Sequence, residues 1–105
     1  MLTINHETDG ETTTFSLAGR FDFADAPQLE AELKPVYRRT KTLIFDLEGL
    51  ESISSSGLRV LLSAQKQMNR RGRMRLINVG EAVLQTMEIK GFTEIFNISG
   101  WEDDE

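Results

Sequence analysis

The sequence contains no cysteine among its 105 residues. Disulfide bonds, thiolate metal sites and thiol nucleophiles are therefore excluded, and the absence fits a reducing compartment such as the cytoplasm. Long apolar runs are also missing, since no stretch approaches the roughly 20 apolar residues that a membrane span requires, and the N-terminus has no signal-peptide pattern. We therefore expect a soluble, cytoplasmic protein with no membrane insertion.

Positive charge is scarce relative to negative charge. The formal net charge is -5, whereas a surface that binds nucleic acid needs a basic face, so we do not expect nucleic acid as a direct partner. One local basic cluster occurs, and it consists of Lys66, Arg70, Arg71, Arg73 and Arg75. Because cations near a helix C-terminus are mildly stabilising, we interpret this cluster as a solvated helix end.

Catalytic motifs are missing as well. A serine nucleophile needs a base, and the single histidine, His6, lies in a predicted strand. The sequence contains no Gly-x-Ser-x-Gly elbow, no phosphate-binding Gly-x-x-x-x-Gly-Lys loop and no cluster of metal ligands. It therefore predicts a protein that is not an enzyme, with no catalytic residues, no cofactor and no bound metal.

The N-terminal part has the pattern of a β-hairpin. Apolar and polar residues alternate over residues 2–6 and again over residues 15–19, as they do in half-buried strands. The Asp9-Gly10 pair between these stretches is a strong turn signal. Together these features predict two antiparallel strands.

Helices and strands alternate in the rest of the chain. Asp25 is a suitable cap for a first helix, with Pro27 in its first turn, and Pro35 predicts a kink or an early end. The nearly continuous apolar run over 43–47 predicts a parallel central strand that is covered on both faces. The remaining predicted elements are a helix after residues 54–56 that ends at Gly72, a strand over 74–79, a helix from Gly80 to Gly91 and a short strand over 92–98.

This order of elements predicts the fold class. Strands that alternate with helices form a mostly parallel sheet built from crossover connections, and the initial hairpin makes the sheet mixed. Because the hairpin strands are only half-buried, we expect the helices to cover mainly one face. A chain of 105 residues suffices for one domain but not for two, so we expect a single α/β domain over residues 1–105.

Three consecutive serines, Ser54, Ser55 and Ser56, precede the second helix. One serine is enough to accept a hydrogen bond from the free backbone N–H groups of a helix start. A helix N-terminus also stabilises anions, and a phosphate on a serine there adds about -1.5 to -2 charges. The segment is therefore either a plain helix cap or a phosphorylation switch on a docking surface.

Four segments together resemble the STAS domain, and most closely the stand-alone anti-sigma factor antagonists. They are residues 17–22 at the end of the second strand, 43–50 along the central strand and the turn after it, 53–58 at the entry of the second helix, and 73–79 with the helix and Gly91-Phe92 that follow. Each segment alone is a weak signal, but all four occur in the family's order and spacing.

The resemblance implies a two-partner switch. In this family the unphosphorylated protein binds a serine kinase that doubles as an anti-sigma factor, and the sigma factor is released. The kinase phosphorylates its antagonist with its own ATP and thereby releases it, and a phosphatase resets the system. The other function that the resemblance allows is a constitutive STAS adaptor subunit of a membrane transport or signalling complex, without phospho-switching.

The resemblance also implies the site residues. Family members usually read Asp-Ser-Ser-Gly or Asp-Ser-Thr-Gly and carry the phosphate on the residue after Asp. Matching on Gly57 makes Ser55 the acceptor, with Ser56 and Ser54 as alternatives. Ser54 stands at the position of the Asp, so either kinase recognition differs or binding is constitutive. The predicted partner-binding residues are Asp22, Ser54, Ser55, Ser56, Leu58 and Arg59.

Three further positions complete the predictions. Asp22 matches a loop acidic residue that lies near the phosphorylation site in the family, and otherwise it is a turn residue or a cap. Asp46, in the central strand, is predicted to support the serine loop, since a carboxylate there needs hydrogen bonds. Few residues remain after the last strand for the family's usual C-terminal helix, so the surface beside the third helix is expected to be open or completed by a second chain, as in a homodimer.

Overall fold

The computed structural model describes residues 1–99, which form one five-stranded sheet and its helices. The elements are β1 (Leu2–Asp9), β2 (Thr12–Phe21), a 3₁₀ helix (Phe23–Asp25), α1 (Ala26–Tyr37), β3 (Thr42–Ile53), α2 (Ser55–Arg71), β4 (Arg73–Ile77), α3 (Glu81–Ile89) and β5 (Ile98–Ser99). No helix within these residues is long and apolar enough to cross a membrane.

The sheet has the strand order β1-β2-β3-β4-β5. β1 and β2 are antiparallel, and every other neighbouring pair is parallel. The hairpin turns at Gly10, whose φ of 64° lies in the left-handed region that glycine adopts without steric cost. The predicted mixed, mostly parallel sheet with an N-terminal hairpin is therefore confirmed.

The helices of the described chain lie on one face of this sheet. Crossovers between parallel strands are right-handed, so strands that follow one another in sequential order keep their connecting helices on the same side. The inner face is packed against them, and its central side chains are at most 1% exposed. These side chains are Phe15, Leu17, Leu43, Phe45, Leu47 and Leu76.

The opposite face of the sheet is uncovered by the described elements, which corrects one prediction. The apolar run over 43–47 predicted a central strand that is covered on both faces. In the structure β3 alternates, and Ile44 and Asp46 on the outer face are only half-buried. The strand is parallel and central as predicted, but the single-sided crossovers leave its second face without a helix.

Several predicted boundaries also differ from the structure. α1 continues past Pro35 to Tyr37, because a proline this close to the helix end removes only one hydrogen bond before the helix stops. α2 begins at Ser55 rather than after Ser56. The final strand is limited to Ile98–Ser99. The predicted surface beside the third helix depends on residues 100–105, which lie outside the described residues.

Candidate partner-binding site

The serine loop, by which we mean Ser54, Ser55 and Ser56, is positioned by the ends of two parallel strands. The last residue pair of the β2–β3 ladder is Phe21 opposite Ile53, and the backbone N–H of Ser54 donates to the carbonyl oxygen of Phe21 at 2.8 Å. Because parallel strands end at the same edge of a sheet, residues 22–25 after β2 and 54–57 after β3 lie side by side. The structure thus brings Asp22 and the serines to one end of the sheet, as predicted.

Gly57 brings the first turn of α2 close to these strand ends. A Cβ added at Gly57 would lie 2.8 Å from Cγ1 of Ile53 and 2.9 Å from Cγ of Phe21. The Phe21 side chain is fully buried. Glycine is therefore required for the close approach of α2 to the ends of β2 and β3. This packing sets the position of Ser54, Ser55 and Ser56 relative to the sheet.

Ser54 is the cap of α2. Its backbone is extended (φ -84°, ψ 170°), and its Oγ accepts a hydrogen bond from the N–H of Gly57 at 3.1 Å. The side chain is half-buried. The hydroxyl of Ser54 is therefore occupied by the helix start, which is the role that one serine of the three was predicted to take.

Ser55 and Ser56 occupy the first two positions of α2. The Ser55 side chain is exposed and that of Ser56 is half-buried. Neither hydroxyl makes a hydrogen bond to another residue of the described range 1–99. Ser55 thus presents an unengaged hydroxyl to solvent beside backbone N–H groups of the first turn, which have no partner within the helix.

The 3₁₀ helix beside the serines is held by two short contacts. The N–H of Asp25 donates to the carbonyl of Asp22 at 3.0 Å, and the N–H of Asp22 donates to Oδ2 of Asp25 at 2.8 Å. Asp25 occupies the N-cap position of α1 as predicted, but its side chain makes no cap hydrogen bond to that helix. Its carboxylate instead closes the turn that precedes the helix, because the chain leaves β2 through a 3₁₀ turn.

The sequence matches the model of a known family. The STAS domain family model matches residues 3–104. This chain belongs to the STAS domain family. A relative in Bordetella bronchiseptica, the protein BtrV, carries the name of an anti-sigma factor antagonist and is 39% identical over 85 residues, which cover 79% of this chain and 73% of BtrV. The predicted family is confirmed.

Solved structures share the fold of this STAS domain. The anti-sigma factor antagonist SpoIIAA in its unphosphorylated form has a TM-score of 0.81 at 22% identity, over 92% of this chain and 88% of that chain. The Bacillus cell fate determinant SpoIIAA in its phosphorylated form has a TM-score of 0.75 at 21% identity, over 92% and 91%. At these identities the likeness establishes the fold alone.

Of the other residues predicted to bind a partner, some are exposed on the surface and one is buried in the core. The Asp22 side chain is 62% exposed, and Arg59, one helical turn after Ser55, is exposed. Leu58 is only 1% exposed and packs in the core, so its side chain does not reach the surface. The exposed members of the predicted set are therefore Asp22, Ser55 and Arg59, with Ser54 and Ser56 half-buried between them.

Asp46 has a different role from the predicted one. Its Oδ1 accepts hydrogen bonds from Nδ2 of Asn78 at 3.0 Å and from the N–H of Glu48 at 3.1 Å. These contacts tie β3 to the segment after β4 on the outer face of the sheet. Asp46 therefore supports the β3–β4 edge rather than the serine loop, because its position in the strand directs it away from the helices.

One exposed residue at this end was missed by the sequence analysis. Phe23 is 77% exposed and belongs to the 3₁₀ helix, which contacts α2. Strand alternation continued from Phe21 would have placed Phe23 inside. The chain leaves the strand at Asp22, and the signal for this was the turn-forming Asp22 and Asp25 around an aromatic residue.

Proposed function

We propose that this STAS domain is an anti-sigma factor antagonist. In this proposal it binds a serine-kinase anti-sigma factor when it is unphosphorylated, so that the sigma factor is released, and phosphorylation of Ser55 ends the binding. The domain acts by binding and not by catalysis. The name of its relative BtrV supports the role, and the observation that carries the site is the exposed, unengaged hydroxyl of Ser55 on the first turn of α2.

The local geometry favours Ser55 over its two neighbours. The Oγ of Ser54 accepts the cap hydrogen bond of α2 and its side chain is half-buried, so it is less open to a kinase than the exposed Ser55. Ser56 is half-buried, so a kinase would reach its hydroxyl less easily. Ser55 also matches the family acceptor position counted from Gly57, which itself is fixed by packing against Phe21.

The phosphate would act on the docking surface and leave the fold intact. In the transfer, the γ-phosphoryl group of ATP held by the kinase moves to Oγ of Ser55, the hydroxyl proton passes to a base of the kinase, and ADP leaves. The new group carries about -1.5 to -2 charges and is stabilised by the N-terminus of α2. A partner surface that packs on this turn must then desolvate or repel that charge, so binding is lost. A phosphatase reverses the change.

A phosphorylation assay tests the acceptor. The cognate kinase would be captured from native lysate with the wild-type domain, purified, and supplied with labelled ATP and each variant. We expect wild type to incorporate one phosphate and Ser55→Ala to incorporate none, whereas Ser63→Ala, an exposed serine of the same helix, should behave as wild type. Undiminished labelling of Ser55→Ala would show that Ser55 is not the acceptor. Labelling of Ser56→Ala and Ser54→Ala would then identify which serine is.

The constitutive adaptor is the competing function. Ser54 at the position of the family's usual Asp is the feature that favours it. If Ser55→Asp and wild type retain the same partner with equal affinity, the phospho-switch is absent and the adaptor function replaces it.

A further inference from the structure

Phe23 is an exposed aromatic side chain on an ordered turn. Four large apolar residues are exposed in the described range 1–99, namely Met1, Phe23, Ile89 and Ile95, and Phe23 is the aromatic one, at 77% exposure. Single exposed apolar residues are common and need no special explanation. The position of Phe23 is what distinguishes it from the two isoleucines.

Phe23 lies at the same end of the molecule as the proposed acceptor. Phe21, two residues earlier, packs against Gly57 in the first turn of α2, and its carbonyl oxygen holds the N–H of Ser54. The backbone of the 3₁₀ helix that carries Phe23 lies close to that of α2. A partner that covers the first turn of α2 would therefore lie close to the turn that carries Phe23.

The backbone that carries Phe23 is folded into a turn by hydrogen bonds within the chain. The turn is closed by the two hydrogen bonds between Asp22 and Asp25, and it continues into α1 at the buried Ala26. A phenylalanine has only two side-chain torsions, so little conformational entropy is lost when it is immobilised in an interface. Aromatic residues in such positions contribute most of the binding energy in many interfaces.

We propose that Phe23 is the apolar anchor of the interface with the anti-sigma factor kinase and that it fills an apolar pocket beside the kinase active site. The inference rests on the proposed function, since the partner is the same. Phe23 contributes binding energy to the complex with the kinase, and phosphorylation of Ser55 prevents that complex from forming. A kinase is the fitting occupant because Phe23 and the exposed acceptor share one end of the molecule.

Calorimetry with the purified kinase and a non-hydrolysable ATP analogue tests the anchor. Phe23→Ala should weaken binding by about 30-fold or more, the loss typical of an interface hot spot. Ile89→Ala is the matched control, because Ile89 is equally apolar and 84% exposed but lies at the end of α3. It should bind within about twofold of wild type. Both variants should unfold at the wild-type urea concentration, since neither side chain is in the core.

Phosphorylation kinetics supply a second readout. Phe23→Ala should raise KM for transfer to Ser55 and leave kcat unchanged, because Phe23 touches the partner but not the reacting atoms. If Phe23→Ala bound the kinase with wild-type affinity, or if Ile89→Ala lost as much affinity as Phe23→Ala, Phe23 would not be the anchor. If Phe23→Ala binds the kinase normally and Ser55→Asp does not, the anchor proposal fails and the proposed function stands. If the wild-type domain does not bind the kinase, the proposed function fails.

Discussion

Gly57 allows the first turn of α2, which carries the serines, to pack closely against the ends of β2 and β3. An alanine methyl group there would meet Ile53 and the fully buried Phe21 ring at less than 3.0 Å. Overpacking of this kind costs about 1–3 kcal/mol. We expect Gly57→Ala to lower the free energy of unfolding by that amount in urea titrations. Ser63→Ala, exposed on the same helix, should be neutral or slightly stabilising. Equal stabilities would mean that the first turn of α2 is not held against the strand ends.

Ser54 stabilises the start of α2 through one hydrogen bond. Removal of the Oγ that accepts from the N–H of Gly57 should cost about 1 kcal/mol in Ser54→Ala, the usual effect of losing a cap. Ser54→Asp restores an acceptor and adds a negative charge at the positive end of the helix, so it should be at least as stable as wild type. Thermal unfolding of the three proteins measures this. A Ser54→Asp protein no more stable than Ser54→Ala would contradict the capping role.

At the scale of elements, a buried threonine pair joins β2 to the connection between α1 and β3. The Oγ1 atoms of Thr13 and Thr40 lie 2.8 Å apart, and both side chains are buried. Thr13→Val leaves the Thr40 hydroxyl without this partner, at a cost of about 1–3 kcal/mol. In the double variant with Thr40→Val the cost should fall below the sum of the single effects, because both polar groups are then gone. Strict additivity in urea unfolding would mean that the two hydroxyls do not interact.

The end of α1 carries the tyrosine whose ionisation is coupled to folding. Burial, and secondarily the charge of Glu30, raise the pKa of Tyr37 from 10.0 to about 12. The neutral form is therefore favoured in the folded state, and its stabilising contribution is complete below pH 10.0 and is lost as the pH rises towards about 12. Stability should fall less steeply over this range in Tyr37→Phe than in wild type.

Direct titration checks the same pKa. Tyr37 is the single tyrosine of the chain, so the absorbance of tyrosinate reports on it alone. A midpoint near pH 10.0 in the folded protein would show that burial does not hold the proton on Tyr37.

Local signals predicted most elements, and long-range pairing decided the rest. The Asp9-Gly10 turn and the helix stop at Gly72 depend on residues close in sequence, and both were found. The second half of β3, from Glu48 to Ile53, has a polar, glycine-containing sequence typical of a loop. It forms a strand because β2 pairs alongside it through two register shifts. Such a partner cannot be read from a local pattern.

At the scale of the whole molecule, the fold places the ends of β2 and β3 and the start of α2 at one end of the sheet. The resemblance to the STAS domain was enough to predict that Asp22 would lie near the serines. Which serine is free was not predictable, because it depends on where α2 begins: a start at Ser55 makes Ser54 the cap. The exposure of Phe23 likewise depends on the point at which the chain leaves β2.

Release of a sigma factor by the purified domain is the most direct test of the account. The cognate anti-sigma factor kinase would be assembled with its fluorescently labelled sigma factor, and anisotropy would be followed as wild type, Ser55-phosphorylated or Ser55→Asp protein is added. We expect wild type to free the sigma factor at concentrations where the phosphorylated and Ser55→Asp proteins leave the complex intact. Equal release by all three, or release by none, would contradict a switch at Ser55.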